Sequence, residues 1–476
     1  DFATLELVES GDLEISDARF GDGSVLMLQV DAENNDVRRV VASGDITFET
    51  GSRLSVSLSN LIGGGGSFEL IRAGSLTIEE DLATLNDSPS PFLYNTSLER
   101  SADDDNVIVL TLERKDADAL GMNANQAAAY ASAFESWAEN GALGAAIASL
   151  TNQNAFFDAY DQLLPEYAAS AIQFAMASSD SAIGALANRL EAVRRSPEET
   201  GGLWVQEFGY FADRAGTAFG PGYRGQGIGV AVGFDRPVGP FYAVGVNFVG
   251  AASEVSEVEG VDDPMSAITG QLGAYAGSRV SGVNFDIYGG AGFDSFEHNR
   301  RVVIGEFDAS PSAEWTGYHI TGSARVSRDF EFGGRYYARP ALSVDYLHLF
   351  EEGYTETGGG IGVDLSIADR DSTSFTGSAV LTMGALFENS SRWWSPVVRL
   401  GYRSEFSNDI LETEARFADY DDTFILRSQQ LPGSGLLFGF GVSAGSGYST
   451  FSLDYDADVR DDFIRHTARL VMRMVF

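Results

Sequence analysis

Hydrophobic and polar positions alternate along the chain from about residue 203 to its end. Ile228, Val230, Val232 and Phe234 are large and apolar, and glycine, alanine and aspartate stand between and after them. A period of two predicts β-strands with one apolar face, and the same period recurs in eleven further runs. The sequence therefore predicts twelve strands, at 203–214, 225–237, 240–254, 266–280, 282–300, 314–330, 335–352, 372–387, 394–408, 433–446, 448–459 and 463–476.

The polar face of these strands consists mainly of glycine, serine, aspartate and arginine, and Lys115 is the only lysine in the chain. A soluble β-sandwich also alternates, but its outer face is usually rich in lysine, glutamate and threonine. Arginine and aspartate suit a crowded lumen, where guanidinium groups pair with carboxylates. We therefore predict an all-β membrane protein whose luminal charges are Asp235, Asp286, Arg399, Arg403, Asp454, Arg469 and Arg473.

The connections between the predicted strands are alternately long and acidic or short and tight, which is typical of outer-membrane barrels. An even number of antiparallel strands brings both ends of the barrel to the same side of the membrane. The fold class is thus a 12-stranded antiparallel outer-membrane β-barrel. Aromatic residues at strand ends are expected to form girdles at the membrane interfaces; they are Trp204, Tyr242, Tyr337, Trp393 and Trp394.

The segment from 121 to about 196 changes to a helical period and is rich in alanine. Helices are predicted around 127–137, at 142–149 and at 154–164, and a longer helix at 166–195. The apolar residues of the long helix include Ile172, Met176, Ile183, Leu186 and Leu190, and its centre at 175–182 is almost entirely small. Small side chains suit a helix inside a narrow tube, although an ordinary bundle helix remains the alternative.

Shorter alternating runs fill the first 120 residues, which are strongly acidic. They are separated by glycine and asparagine turn signals and predict strands at 25–30, 45–48, 53–58, 67–71 and 107–112. This part of the chain is therefore predicted to be a separate, strand-rich region before the helices.

Composition and charge exclude several classes of protein. The formal net charge is -38, so nucleic acid is excluded as a partner held by general electrostatics. The absence of cysteine excludes disulfides, thiol catalysis and cysteine-ligated metals. Gly441 to Gly445 matches the hydrolase pattern G-x-S-x-G, but the pattern lies within a strand rather than at a strand–helix turn. Acidic loops such as 419–422 could bind Ca²⁺ weakly, but we predict no catalytic, cofactor or metal site.

Three segments resemble one family, the bacterial autotransporters of type V secretion. Residues 160–167, with the alanine-rich helix that follows, resemble the segment that threads the family's barrel, and 203–210 resemble its first strand. The last strand, which ends at Phe476, resembles the family's assembly signal. A weaker resemblance, in 34–46, 68–74 and 107–112, is to the end of a β-helical passenger.

The resemblance implies an organisation and a mechanism. Residues 1–120 would be the autochaperone-like end of a right-handed parallel β-helix, 121–200 a helical linker and pore-threading helix, and 201–476 the translocator barrel. The passenger would cross the outer membrane unfolded, fold outside from its C-terminal end and stay displayed at the cell surface. The helix would remain as a plug. A porin or a barrel enzyme such as a lipid hydrolase is the alternative, but we predict no enzyme.

The resemblance also implies partners: barrel-assembly machinery, periplasmic chaperones, the chain's own passenger, and outer-membrane lipid with lipopolysaccharide. The chain is expected to be a monomer. The machinery would read the outward face of the last strand, Leu470, Met472, Met474 and Phe476. The first strand would form the closing seam with Trp204, Glu207, Phe208 and Gly209, and Glu207 is expected to face the lumen, against the helix.

Overall fold

A computed structural model of the 476-residue chain describes most of the sequence. The described residues are 3–7, 11–31, 36–88, 90–165, 171–195, 202–216, 222–258, 263–389, 392–407, 412–427, 430–446 and 449–474. The predicted helix start at 166–170 and Phe476 lie outside these residues. The side chains of Arg473 and Met474 also lie outside them, although their backbone continues the last strand.

The first part of the chain is a parallel β-solenoid of three turns, called the β-coil below, and an antiparallel hairpin closes it. Strands β1, β4 and β8 pair in parallel, as do β3, β7 and β10, and β6 pairs in parallel with both β2 and β9. Strand β12 then pairs antiparallel with β9 and β11 and ends the coil. The bounds are β1 Thr4–Leu7, β2 Leu13–Ile15, β3 Ala18–Phe20, β4 Val25–Asp31, β5 Asp36–Val37, β6 Val40–Ala42, β7 Asp45–Phe48, β8 Arg53–Leu58, β9 Gly66–Arg72, β10 Ser75–Ile78, α1 Leu82–Leu85, β11 Tyr94–Arg100 and β12 Val107–Arg114.

Five helices follow in the described part of the chain, and asparagine or aspartate caps most of their starts. Asn123 and Gln126 form a capping box, and Asn140 and Asn152 accept hydrogen bonds from the first turns of the next two helices. No described helix is both long enough and apolar enough to span a bilayer. The bounds are α2 Ala117–Leu120, α3 Ala124–Glu139, α4 Gly141–Ala148, α5 Gln153–Leu163 and α6 Ile172–Arg195.

Twelve long antiparallel strands form a closed barrel, which confirms the predicted fold class. Each strand pairs with the next along the chain, and the first pairs with the last from Val205 opposite Met472 to Arg214 opposite Phe463. The barrel strands are β13 Gly202–Arg214, β14 Tyr223–Val238, β15 Phe241–Glu257, β16 Met265–Val280, β17 Val283–Asn299, β20 Ser312–Arg328, β22 Tyr336–Glu351, β25 Arg370–Ala385, β27 Arg392–Glu405, β30 Gly435–Ser446, β31 Ser449–Arg460 and β32 Phe463–Met474.

Short strands decorate the barrel's connections. Most of them lie in the long loops, at the end of the barrel where α6 begins. They are β18 Val302–Ile304, β19 Phe307–Ala309, β21 Phe330–Phe332, β23 Tyr354–Thr355, β24 Leu365–Ile367, β26 Phe387–Glu388, β28 Glu412–Phe417 and β29 Phe424–Arg427. The strands β21 and β26 belong instead to the short turns at the opposite end.

The expected alternation divides the barrel wall into an apolar outer face and a polar luminal face. Ile228 is 71% exposed and Val246 is 60% exposed on the outside, whereas Asn284 and Asp294 are completely buried inside. Trp394 is exposed on the outer face, as predicted for a girdle residue.

Three other girdle predictions were wrong, because those aromatic rings face the lumen and rest on glycines. Trp204 covers Gly233, where an added Cβ would lie 2.4 Å from the indole ring. An extra residue in β15 at Tyr242 turns this side chain inward, onto Gly277. Tyr337 lies against Gly384 in the same way.

The predicted orientation of Glu207 was also wrong. Gln206 and Phe208, its neighbours in β13, occupy the luminal face and are buried, so alternation places Glu207 outside. It is exposed there beside its cross-strand neighbours Val230 and Leu470.

Candidate functional site: the luminal helix and the loop platform

The helix α6 lies inside the barrel and makes apolar contacts with the wall near both of its ends. Ile172 and Met176 belong to a buried cluster that includes Met265, Phe296 and Leu349 from the wall. At the other end, Leu186, Leu190 and Val193 pack in a cluster with Trp204, Tyr275 and Tyr288, and Ile183 is partly buried beside it. The helix has 24 described residues, so it is roughly 36 Å long and can cross the lumen.

Four charged side chains of α6 bind the barrel wall at different heights. Asp180 accepts hydrogen bonds from both terminal nitrogens of Arg403, at 2.8 and 2.9 Å, and also pairs with Arg465. Arg189 donates two hydrogen bonds to Asp235, at 2.6 and 2.7 Å. Bidentate arginine–carboxylate pairs fix the relative orientation of the two side chains as well as their distance. They therefore set the rotation of the helix about its axis in the lumen.

The C-terminal end of α6 makes the other two charge contacts with the wall. Glu191 lies 2.6 Å from Arg339, and Arg194 lies 2.9 Å from Asp286 and donates a hydrogen bond to the Tyr242 hydroxyl. Breaking a buried charge pair leaves an uncompensated charge, which costs about 3–5 kcal/mol. The four contacts together therefore oppose sliding or rotation of the helix.

Other charges of the wall, on β27, β31 and β32, pair with one another. Arg399 binds both Asp454 and Asp456 at 2.8 Å, and Arg469 also pairs with Asp456. Gly184 of α6 passes so close that an added Cβ would lie 2.8 Å from the Arg469 guanidinium. A cavity of about 230 Å³ remains between this side of the helix and the wall. The predicted luminal charges therefore lie inside, except that Arg473's side chain is not described.

Sequence reasoning missed the polar partners on α6, because it considered only the apolar stripe and the small centre. Asp180, Arg189, Glu191 and Arg194 each meet an oppositely charged wall residue. Arg465 also faces the lumen. Its even spacing from Arg469 along β32 was a signal for this, because residues four apart in a strand share a face.

Outside the barrel, the long loops form a platform for the helices α3 to α5. Strands β23, β24, β28 and β29 make a small sheet, and β18 with β19 make a hairpin. Leu365, Phe417 and Leu426 on this sheet are completely buried, in the same core as Phe134 and Trp137 of α3. We call the loop strands β18, β19, β23, β24, β28 and β29 the loop platform.

Polar side chains fix the helices on the loop platform. The Asn125 side-chain amide donates to the carbonyl of Arg427 and accepts from its N–H, both at 2.9 Å. These two bonds attach α3 to the backbone at the end of β29. Asn140 donates to the carbonyl of Ile361 at 2.8 Å. Arg300, only 2% exposed, binds both oxygens of Glu356 at 2.7 Å and donates to the carbonyl of Gln162.

The same core extends into the end of the β-coil. Asn60 donates to the carbonyl of Ala138, and the hydroxyl of Tyr94 bonds the backbone of Ile62 beneath the helices. Burial raises the pKa of Tyr130 in α3 to about 12 and raises that of Tyr160 well above its usual range. Coil, helices and loop platform therefore share one desolvated core.

The predicted seam and assembly residues lie on both faces of the closing strands. Leu470 and Met472 point outward and are exposed, whereas Trp204 and Phe208 point into the lumen. Gly209 pairs with Ala468 across the seam. Met474's side chain and Phe476 lie outside the described residues, so the outward face is described only for Leu470 and Met472.

Ser443, the serine of the G-x-S-x-G pattern, lies in strand β30. Its hydroxyl accepts a hydrogen bond from Ser452, at 2.8 Å, on the neighbouring strand. No hydrogen bond between Ser443 and a histidine occurs in the described part of the chain, so the described contacts do not provide a base for a nucleophile there.

A family model described as the autotransporter β-domain matches residues 203–458. No curated protein matches the chain. Among solved structures, the translocator domain of NalP from Neisseria meningitidis is 13% identical, with a TM-score of 0.46, and the match covers 64% of this chain and 100% of that one. The β-domain of BrkA from Bordetella is 16% identical, with a TM-score of 0.44, and the match covers 58% and 100%. The transport unit of AIDA-I from Escherichia coli is 8% identical, with a TM-score of 0.40, and the match covers 58% and 90%.

Proposed function

The chain belongs to the autotransporter family, whose β-domain model matches more than half of it, and on that basis we propose how its parts share the work. It is an outer-membrane translocator for a passenger domain, which it displays at the cell surface. In our proposal residues 1–120 are the end of the passenger stem, 121–200 link it to the barrel through the pore, and 201–476 are the translocator.

The anchoring step rests on one observation, the core that the helices share with the loop platform. Apolar side chains from both sides are completely buried in it, and the Arg300–Glu356 pair is enclosed between them. Burying such side chains stabilises the docked state by about 1.5–3 kcal/mol each. The passenger stem is thus held twice, covalently through α6 and non-covalently on the loop platform.

The test is to cut the covalent connection in the folded, full-length chain. Residues 166–170 are replaced by the recognition sequence of a site-specific protease, and the protein is cleaved in detergent. We expect the fragment ending at residue 165 to co-elute with the barrel. Its dissociation from the otherwise unsubstituted protein would contradict anchoring by the loop platform.

Two neighbouring residues of β29 provide matched variants for this test. Leu426 is completely buried under the helices, whereas Ile425 is 51% exposed. Leu426→Asp is expected to release the cleaved fragment, because it buries a carboxylate in the shared core. Ile425→Asp is expected to leave the fragment bound.

In the same proposal α6 ends translocation as a plug, which the four charge contacts with the wall support. The outward residues Leu470 and Met472, with Met474 and Phe476, are offered to the barrel-assembly machinery. The physical support is that an unpaired strand edge in lipid costs several kcal/mol for each exposed backbone group, so the last strand needs protection until it pairs with β13.

We further propose that the chain works as a monomer without catalysis, with periplasmic chaperones, outer-membrane lipid and lipopolysaccharide as its other partners. The environment of Ser443 supports the proposed absence of catalysis, since the described hydrogen-bond partner of its hydroxyl is another serine.

A further inference from the structure

Among the described residues, five exposed arginines lie at the end of the barrel where the turns are short, and four of them are outside the luminal register; the fifth, Arg279, is in the luminal register of β16, opposite the buried Asn284. Arg236, Arg328 and Arg392 occupy the outward register of β14, β20 and β27, next to the outward residues Phe234, Val326 and Trp394. Arg335 stands in the turn between β21 and β22. We call these four residues the basic rim.

The arginines of the basic rim have no carboxylate partner among the residues that the structure describes. This is unusual in a chain with 69 acidic and 31 basic residues. Most arginines on the other barrel strands have a carboxylate partner, including Arg224, which is in the outward register at the opposite end and lies 3.2 Å from Asp213. The basic rim is therefore a free positive surface on an acidic protein.

The opposite end of the barrel carries the opposite charge. Besides Asp213, its outward positions include the carboxylates Glu254, Glu297, Glu314 and Asp371. The outward positions at the two edges of the apolar band thus differ in sign, because the exposed turn-side carboxylates Glu331 and Glu388 are in the luminal register.

Exposed aromatic residues set the depth of the basic rim. Phe330, Phe332 and Tyr336 are about half exposed beside it, and the Arg328 guanidinium lies 5.2 Å from the centre of the Phe330 ring. Trp394 is 47% exposed and lies two residues from Arg392 in β27. Aromatic rings in such belts sit at the level of the lipid headgroups, which places the neighbouring arginines beside the phosphates.

We propose that the basic rim binds the phosphate groups of anionic phospholipids in the periplasmic leaflet. This inference rests on the outer-membrane location, which puts the short turns on the periplasmic side. Arginine binds phosphate through two parallel hydrogen bonds. Because Arg236, Arg328 and Arg392 stand on the second, sixth and ninth barrel strands, the lipids surround the barrel and hold it upright rather than binding at one spot.

The chain contains its own reporter for this binding. Of its five tryptophans, Trp394 is exposed on the outer face beside Arg392, Trp393 is half-buried in the luminal register, and Trp137, Trp204 and Trp315 are buried. The full chain is folded into vesicles that mix a plain lipid with phosphatidylglycerol or phosphatidylcholine brominated near the carboxyl end of the acyl chain. The two quenching curves give the affinity for phosphatidylglycerol relative to phosphatidylcholine at this rim.

We expect unsubstituted protein to prefer phosphatidylglycerol about fivefold or more at low salt, since each arginine near an anionic surface contributes about that factor. The preference should fall as sodium chloride is raised. Arg392→Gln should remove most of the preference that Trp394 reports, and the quadruple replacement of the basic rim by glutamine should remove all of it. Arg224→Gln, at the opposite end, should leave it unchanged.

Three results would overturn the inference: equal affinity for the two lipids, a quadruple variant with the original preference, or an equal loss in Arg224→Gln. Inorganic phosphate added at the ionic strength of the sodium chloride series should act no more strongly than the salt; stronger competition would mean a site for free phosphate. Heat-modifiable mobility on gels shows that each variant has folded. Equal affinity of the unsubstituted protein for the two lipids, together with intact surface display, would overturn this inference alone and leave the proposed function standing.

Discussion

Arg300 and Arg301 are adjacent in sequence but differ completely in environment. Arg300 is enclosed with Glu356 beneath the helices, whereas Arg301 pairs with Asp308 in a pair that is about half exposed. Arg300→Gln should destabilise the docked helices by about 3–5 kcal/mol, because it leaves Glu356 buried without its partner. Arg301→Gln should cost at most about 1 kcal/mol. Urea-dependent protease cleavage in α3 to α5 of the full chain measures both, and equal effects would contradict the enclosed pair.

The buried tyrosines of the helices predict a loss of stability at alkaline pH. The pKa of Tyr130 is raised to about 12 in the folded chain, against about 10 when unfolded. A raised pKa favours the folded state below the unfolded pKa, and this stability is lost as the pH rises from about 10 through 12. Docking should therefore weaken across this range, and less so in Tyr130→Phe than in the exposed control Tyr336→Phe. Cleaved-fragment release measured against pH tests this, and identical profiles for the two variants would contradict it.

At the scale of elements, α6 is held by its charges as much as by its apolar ends. Asp180→Asn removes the carboxylate that Arg403 and Arg465 share, although Asp458 remains 3.7 Å from each of them. We expect more frequent or larger openings in planar bilayers, with a barrel lacking residues 166–195 as the upper limit. The exposed Asp213→Asn serves as control. If Asp180→Asn conducts like the unsubstituted chain while the deletion opens the pore, the charge contacts do not hold the plug.

The strands could be predicted from the sequence wherever one face of the strand is apolar and the other is polar. Alternation predicted all twelve barrel strands to within a few residues, because lipid and lumen impose opposite demands on successive side chains. It failed at Glu207, where a charged residue stands on the outer face, and at Tyr242, where an extra residue reverses the alternation. The glycines that receive Trp204 and Tyr337 gave no local signal, because the ring comes from the neighbouring strand.

For the molecule as a whole, the sequence could predict the order of its parts but not how they join. The loop platform combines segments near 303, 366, 415 and 425, and its apolar strands are short and separated by acidic residues. Their partners in α3 lie far away in the chain, with Asn125 bonded to Arg427. Such contacts form only because the closed barrel brings the loops together. No periodic pattern of hydrophobic residues within one segment can therefore predict them.

The central claim is that residues before the barrel stand outside the cell while the short turns face the periplasm. The chain has no cysteine, so single cysteines can be labelled without background. Glu113→Cys lies on the exposed surface of β12, and Glu331→Cys lies at the turn-side end of the barrel. In intact cells that express the full chain, a membrane-impermeant maleimide should label Glu113→Cys at once and Glu331→Cys only after the outer membrane is permeabilised. Labelling of Glu331→Cys in intact cells, or none of Glu113→Cys although the barrel has folded, would contradict the account.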